Sequence, residues 1–473
     1  MNDSTVASVQ QWHEFHERKR SPFFSGIFLG GPAVQKNDFP FDHRVQRFGI
    51  FCGHVAIDLS EKERLSKQAV ALLQRKQEYL LQLMDQAYKE HTIHMNTWKK
   101  NDGRKYGSMS NEEVAEAFRS YVDDLFSFGI YVTLPLFVEE YFESFIQERF
   151  IQLFGKEAGR WFGIAVNPLK DGTVIKEEQS LLQVNGEQDL KDHIQRFCWM
   201  KNVGFFEEYY TEALYQERLH QMKERQKQYA QNKEERERHQ HLFLHLLEKV
   251  SDDKFLSSII KTANEAVYFR SYRTEMFYSS PCYNQALLKE VGKRLGLAGY
   301  RDFVWLYWDE IYTRLKDKGV ADYGLIRQRK EHYVFLSGLD REYEQWSGSD
   351  AKRVYEVFKS QEELQTAKEI TGQLAYPGKV RGRVAIVQHV GDMSKVKEGD
   401  ILVTHSTNVH FIPLLKKVAA IVTEEGGILS HASIISRELR IPCIIGAKMA
   451  TKVLLDGDMV DVDATTGRVK KVS

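Results

Sequence analysis

At 473 residues the chain exceeds the usual size of one domain, so two or three are expected. Lysine plus arginine equal aspartate plus glutamate at 66 each, so net charge gives no argument for nucleic acid or an acidic membrane; a small anionic substrate stays compatible, because local fields need not follow the total. Cys52, Cys198, Cys282 and Cys443 form no Cys-x-x-Cys pair, which argues against a disulfide framework or thiolate metal site, no apolar run approaches a membrane span, and the first residues lack a secretion pattern: a soluble, cytoplasmic protein is expected.

The GIFLGG stretch at 26–31 is a weak glycine signal, read as a loop. Residues 60–99 and 111–154 carry apolar side chains at helical spacing, with Leu72, Leu73, Tyr79, Leu80, Leu83 and Met84 in one stripe and Val114, Phe118, Tyr121, Val122, Leu125 and Phe126 in another. Between them, 100–109 reads as a loop. Charge density rises over 207–249, which predicts a long exposed helix, either a docking arm for a partner or a solvated face in an antiparallel pair. His241 and His245 lie one turn apart, as do His91 and His94 approximately; no carboxylate or third histidine accompanies either pair in a recognisable pattern, so no metal is assigned. Over 268–316, Arg270, Arg273 and Glu275 stand among aromatics, followed by Trp305, Tyr307 and Trp308, which are compatible with core or with a site. The helical pattern weakens after 364, which puts a boundary near Thr371. Pro377-Gly378 and Arg381-Gly382 are read as bracketing a turn, and apolar runs at 384–387, 401–403, 420–422, 443–445 and 459–462 as strands, alternating with helices at 412–417 and 431–440. The fold class is therefore α plus α/β: a large, mainly α-helical N-terminal region (1–200 and 201–370) followed by a compact α/β domain (371–473).

Residues 423–446 read TEEGGILSHASIISRELRIPCIIG. A Gly-Gly turn lets backbone amides approach a neighbouring group closely, and a helix start leaves its first amides unpaired and partially positive, a setting that favours an anion. An imidazole there is placed to attack a phosphoryl group and carry it as a phosphoramidate, its charge held by those amides and the Ser430 hydroxyl. Ala432, Ile435 and Leu439 already supply a core-facing stripe, so packing does not require His431.

The segment resembles the phosphohistidine, or swivelling, domain of the phosphoenolpyruvate-utilising enzymes, whose members include phosphoenolpyruvate synthase, pyruvate phosphate dikinase and rifampin phosphotransferase. Thr423, Gly426, Gly427, Ser430, His431, Ala432, Ser433, Ile434, Ser436, Arg437, Glu438, Leu439, Ile441, Pro442 and Gly446 fit its motif in one register. The resemblance implies that His431 is the covalent phosphoryl carrier, with Thr423, Gly426, Gly427 and Ser430 supporting the phosphate. Residues 268–316 look like the helical segment preceding this domain in rifampin-phosphotransferase-like enzymes, which makes Arg270, Arg273 and Glu275 candidates for substrate contact, with structural salt bridging the favoured alternative. One departure is His410, which stands where many relatives carry an acidic residue.

Neither an ATP-grasp domain nor a (β/α)8 barrel is evident, because the first 360 residues lack the succession of strands that either needs. The expected function is accordingly one component of a dikinase-like phosphotransferase. A separate ATP-grasp partner holding ATP and Mg2+ would load His431, and a small-molecule acceptor bound by the helical region would receive the phosphoryl group; no cofactor is assigned to this chain itself. The alternative is a non-catalytic phosphocarrier or regulatory protein controlled by phosphorylation of His431.

Overall fold

The computed structural model describes residues 12–17, 48–52, 54–101, 103–201, 226–297, 300–337, 343–360, 370–388, 390–407, 411–415, 417–426 and 430–472. The chain divides into two compact units, the first comprising 1–138 and 168–358, the second 139–167 and 359–473. The GIFLGG stretch, residues 207–225 of the charged segment, Gly427 and His410 lie outside the described residues.

Unit 1 is mainly helical, as its apolar spacing predicts. Strands β1 (Trp12–Glu17), β2 (Phe48–Phe51) and β3 (His54–Asp58) precede helices α1 (Leu59–Arg75), α2 (Tyr79–Asn101) and the first part of α3 (Asn111–Phe154); α4 (Ala158–Val166) belongs with the end of α3 in unit 2. α5 (Thr173–Leu182), α6 (Glu187–Phe197), α7 (Gln226–Lys249) and α8 (Lys254–Tyr278) follow. The predicted helix over 60–99 is broken at Lys76–Glu78, where the Ser258 hydroxyl donates to the Gln77 carbonyl at 3.0 Å and so satisfies an acceptor freed by the break. Trp98, Phe118, Tyr121, Leu125 and Phe126 are buried, and the Trp98 indole donates to Asp124 at 2.9 Å, joining α2 to α3.

Sequence periodicity missed an antiparallel sheet in unit 1. Its order is β1-β3-β2-β4-β5, with β4 (Tyr333–Ser337) and β5 (Tyr343–Ser347) coming from the far end of the unit's sequence. β4 is buried at every residue, so it shows no alternation by which to know it as a strand. Helices α9 (Trp308–Lys316), α10 (Tyr323–Glu331) and α11 (Gly348–Ser360) pack around this sheet, Phe358 stacking on Phe51 at 4.4 Å between centroids. A buried ion pair ties α9 to α10: Arg329 donates to both carboxylate oxygens of Glu310 at 2.7 and 2.8 Å, reaches Gln345 of β5 at 2.6 Å, and lies over the Tyr307 ring at 4.5 Å. Tyr307 is therefore core.

Unit 2 carries an eight-stranded sheet in the order β6-β13-β12-β8-β9-β10-β11-β7: β6 (Ile370–Thr371), β7 (Gln373–Tyr376), β8 (Lys379–Ile386), β9 (Ile401–Thr404), β10 (Ala420–Thr423), β11 (Cys443–Ile445), β12 (Met459–Asp463) and β13 (Arg468–Lys471). β8, β9, β10 and β11 are parallel, and the rest pair antiparallel outside them. Helix α12 (Ile412–Leu415) precedes β10, α13 (His431–Leu439) links β10 to β11, and α14 (Ala450–Val453) follows β11. All four residues of β9 and of β10 are buried, as expected of central parallel strands. One predicted turn is corrected: Arg381-Gly382 lies within β8. Gly382 is needed there for close approach, since an added Cβ would sit 2.9 Å from the Gly399 carbonyl oxygen and 2.9 Å from Ile401. Among the described residues no helix is long and apolar enough to cross a membrane.

Candidate active site

The sequence motif occupies the carboxyl end of the parallel strands of unit 2, the edge at which open α/β sheets commonly bind ligands. β9 and β10 keep their register beyond their ends: the Glu424 amide donates to the Thr404 carbonyl at 3.1 Å and the Glu425 amide to that of His405 at 2.9 Å. Thr423 is fully buried, its hydroxyl donating to the Glu425 carbonyl at 2.6 Å and its own carbonyl accepting from the Ala447 amide at 2.9 Å. It thereby fixes the exit from β10.

Gly426 makes the turn with φ +124°. A Cβ at that position would lie 2.8 Å from the Ser430 hydroxyl oxygen and 3.8 Å from that of Thr423, so Thr423, Gly426 and Ser430 form one tight cluster. Ser430 caps α13: its backbone is extended, and its side-chain oxygen accepts from the Ser433 amide at 3.3 Å. His431 is the first residue of the helix, and its side chain lies outside the described residues. The positive end of α13 and its unpaired amides suit a phosphoryl group on this residue.

Ser430, Ser433 and Ser436 are buried in succession along α13. Arg440, at φ +57°, ends the helix, and the Ile441 amide returns to the Ser436 carbonyl at 2.9 Å. Arg437 holds the helix against two elements of its unit, donating to the Ala375 carbonyl of β7 at 3.3 Å and lying 5.7 Å from the centre of the Phe162 ring of α4. Burial brings its guanidinium down to about 10, although Cys443 and Glu143 pull the other way. Burial likewise pushes the Cys443 thiol up to about 12, which leaves it protonated and unreactive near neutral pH.

A second group of polar side chains at this edge escaped sequence reasoning. His405, just past β9, places Nδ1 2.9 Å from Glu424 Oε2 and Nε2 3.2 Å from Glu425 Oε1. The other oxygen of Glu424 accepts from the amide and the hydroxyl of Thr451, both at 2.7 Å. Burial raises the Glu424 carboxyl, but the hydrogen bonds from His405 and Thr451 prevail and hold it below the ordinary range. The signal was the acidic pair ahead of the glycines; only the pairing of β9 with β10 shows that a histidine faces it.

The remaining candidates lie in unit 1. The Arg273 Nε donates to the Arg270 carbonyl at 3.1 Å, and Glu275 accepts from the Thr173 hydroxyl at 2.8 Å. Burial raises the Glu275 carboxyl above its ordinary value, opposed by Thr173, Lys176 and Arg196. Beside it, Tyr88, Tyr268 and Tyr272 stack and cross, Lys176 donates to the Tyr268 hydroxyl at 2.6 Å, and His91 meets the Tyr272 hydroxyl at 2.7 Å. His94 instead pairs with Asp124 at 3.1 Å and His245 with Glu248 at 3.4 Å. Among the described residues no group of three or more His, Cys, Asp or Glu side chains is disposed to hold a metal ion.

Residues 396–467 match the family model described as PEP-utilising enzyme, mobile domain. Over these residues the chain resembles the mobile domain of the PEP-utilising enzymes. The phosphoenolpyruvate synthase of Pyrococcus furiosus is 36% identical over 193 residues, covering 38% of this chain and 24% of that protein. The rifampicin phosphotransferase of Bacillus cereus is 29% identical over 59% of this chain and 30% of its own length. An uncharacterised phosphotransferase, YvkC of Bacillus subtilis, is 27% identical over 63% of this chain and 36% of its own. The chain thus spans about a quarter to a third of the length of these relatives, and the last two alignments reach well beyond the mobile domain into the helical sequence before it.

Proposed function

We propose that this chain carries a phosphoryl group on His431 and passes it to a small-molecule acceptor. The observation that carries this reading is the Thr423–Gly426–Ser430 cluster, which brings His431 to the first position of a capped helix at the carboxyl edge of a parallel sheet. In the first step an imidazole nitrogen of His431 forms a P–N bond while the P–O bond to a nucleotide leaving group breaks. In the second an acceptor oxygen attacks the same phosphorus and the P–N bond breaks, restoring the imidazole. The amides at the start of α13 stabilise the charge on the transferring group, and movement of the mobile domain carries His431 between donor and acceptor.

An ATP-grasp nucleotide-binding protein, with ATP and Mg2+, is the proposed donor. The make-up of unit 1, whose described residues form helices and one antiparallel sheet of five short strands, supports placing the nucleotide site outside these residues. The acceptor is assigned to unit 1, where Arg270, Arg273 and Glu275 lie on α8 among the tyrosines described above; the alignment with the rifampicin phosphotransferase, which runs into this region, supports that assignment.

Incubation with labelled ATP and candidate nucleotide-binding proteins is expected to give an acid-labile, alkali-stable label that His431→Ala abolishes. Label that survives the substitution would refute the assignment.

A further inference from the structure

We propose that His405 is a positioning residue for the loading of His431: its ring, protonated on both nitrogens, clamps Glu424 and Glu425 together, fixing the turn before His431 and offsetting the negative charge that an incoming phosphoryl group meets. This inference rests on the phosphocarrier reading of His431. Three observations carry it.

The first is the two-sided contact. A neutral imidazole offers one N–H and one lone pair, so between two carboxylates it would turn the lone pair on one of them. With Nδ1 at 2.9 Å from Glu424 and Nε2 at 3.2 Å from Glu425, the doubly protonated ring is the form the site favours. The Glu425 contact is an ion pair outside hydrogen-bond alignment, whereas that to Glu424 is a hydrogen bond.

The second is the anchoring of Glu424. Its other oxygen is held by the Thr451 amide and hydroxyl of α14, so this carboxylate is fixed on two sides. The third is the covalent path to His431. Glu425 supplies the carbonyl that binds the Thr423 hydroxyl and is followed directly by Gly426, where an added Cβ would fall 2.8 Å from the hydroxyl oxygen of Ser430, the cap of α13.

The ring faces the carboxylates of Glu424 and Glu425 at the end of β10, and the uncharged Thr451 of α14 binds the far oxygen of Glu424. With an imidazolium the trio carries a net charge of minus one; when the ring loses its proton the charge becomes minus two, and arrival of a phosphoryl group is opposed more strongly.

Two measurements on the full chain test the proposal. Ring-15N NMR, with the His405 signals assigned by His405→Gln, is expected to show two protonated nitrogens near pH ~7; a pyridine-type nitrogen on His405 would overturn the clamp. Phosphoramidate then serves as a chemical donor: its P–N bond breaks as the His431 nitrogen bonds to phosphorus, and ammonia leaves with the imidazole proton. Rates are compared between wild type, His405→Gln and the permanently charged His405→Arg from about pH 6 to about pH 8.5. Wild type should follow the arginine variant at the acid end and fall toward the glutamine variant at the alkaline end, the two limits differing by on the order of tenfold.

A purely structural role would give a wild-type to His405→Gln ratio that is flat with pH, and that result rejects the proposal. Label that persists in His431→Ala rejects the phosphocarrier reading instead. If His431 takes no phosphoryl group at any pH, the loading role falls with that reading, while the ring nitrogens still decide the clamp.

Discussion

Gly426 combines two constraints that a single methyl group would violate. Its φ of +124° is strained for any L side chain, and a Cβ would press on Ser430 at 2.8 Å. Gly426→Ala is expected to cost about 1–3 kcal/mol locally and to displace the cap of α13. Loss of phosphoryl labelling with nearly unchanged circular dichroism is the expected result; full labelling would show that the turn tolerates the change. Glu275 permits a prediction with a definite sign. Because burial raises its folded-state carboxyl above the ordinary 4.5, the folded protein binds the proton more tightly than the unfolded chain does. Its contribution to stability is thus fully present below pH 4.5 and lost as pH rises through the folded value. Glu275→Gln should therefore raise Tm at neutral pH, with the gain vanishing below that value. Calorimetry at both pH values checks this, and a gain that grows on acidification would contradict it.

At the scale of elements, the Arg329–Glu310 pair shows what joins α9 and α10 to β5. The Arg329 side chain is 3% exposed, so Arg329→Met leaves a largely buried carboxylate without its partner, at a cost of about 3–5 kcal/mol. Replacing Glu310 with leucine as well should recover most of that loss, because no charge is then left behind. Urea denaturation of the single and double variants distinguishes this from a purely additive pair. Elements of this kind differ in how plainly the sequence announces them. The helix over 111–154 is marked by a long apolar stripe, and the strands around 384, 401, 420, 443 and 459 by short apolar runs between turn residues. β2 and β3 are too short for alternation to be decisive, and their partner β4 lies far along the chain. The same contrast holds at the site. Thr423, Gly426, Ser430 and His431 share one loop and were readable together, whereas His405 joins them only through the pairing of two strands.

On the scale of the whole molecule, unit 2 is assembled from two segments distant in sequence. Residues 139–167 belong to unit 2, and through Phe162 they cover the guanidinium of Arg437 on the helix that begins with His431. A fragment of residues 359–473 alone should unfold at lower urea than the same fragment tethered to 139–167, by about 2 kcal/mol from the desolvated cation–π contact alone. Equal midpoints would argue against that division of the chain.

This discontinuity also shapes how the protein is made. During synthesis, residues 139–167 leave the ribosome roughly 190 residues ahead of the segment that completes their unit, a wait of about 10–40 s at ~5–20 residues per second. For that interval Phe142, Ile146, Phe150, Trp161 and Phe162, all buried in the finished chain, lack the C-terminal part of their unit. Nascent chains stalled within that gap should therefore be the ones that chaperones hold most firmly.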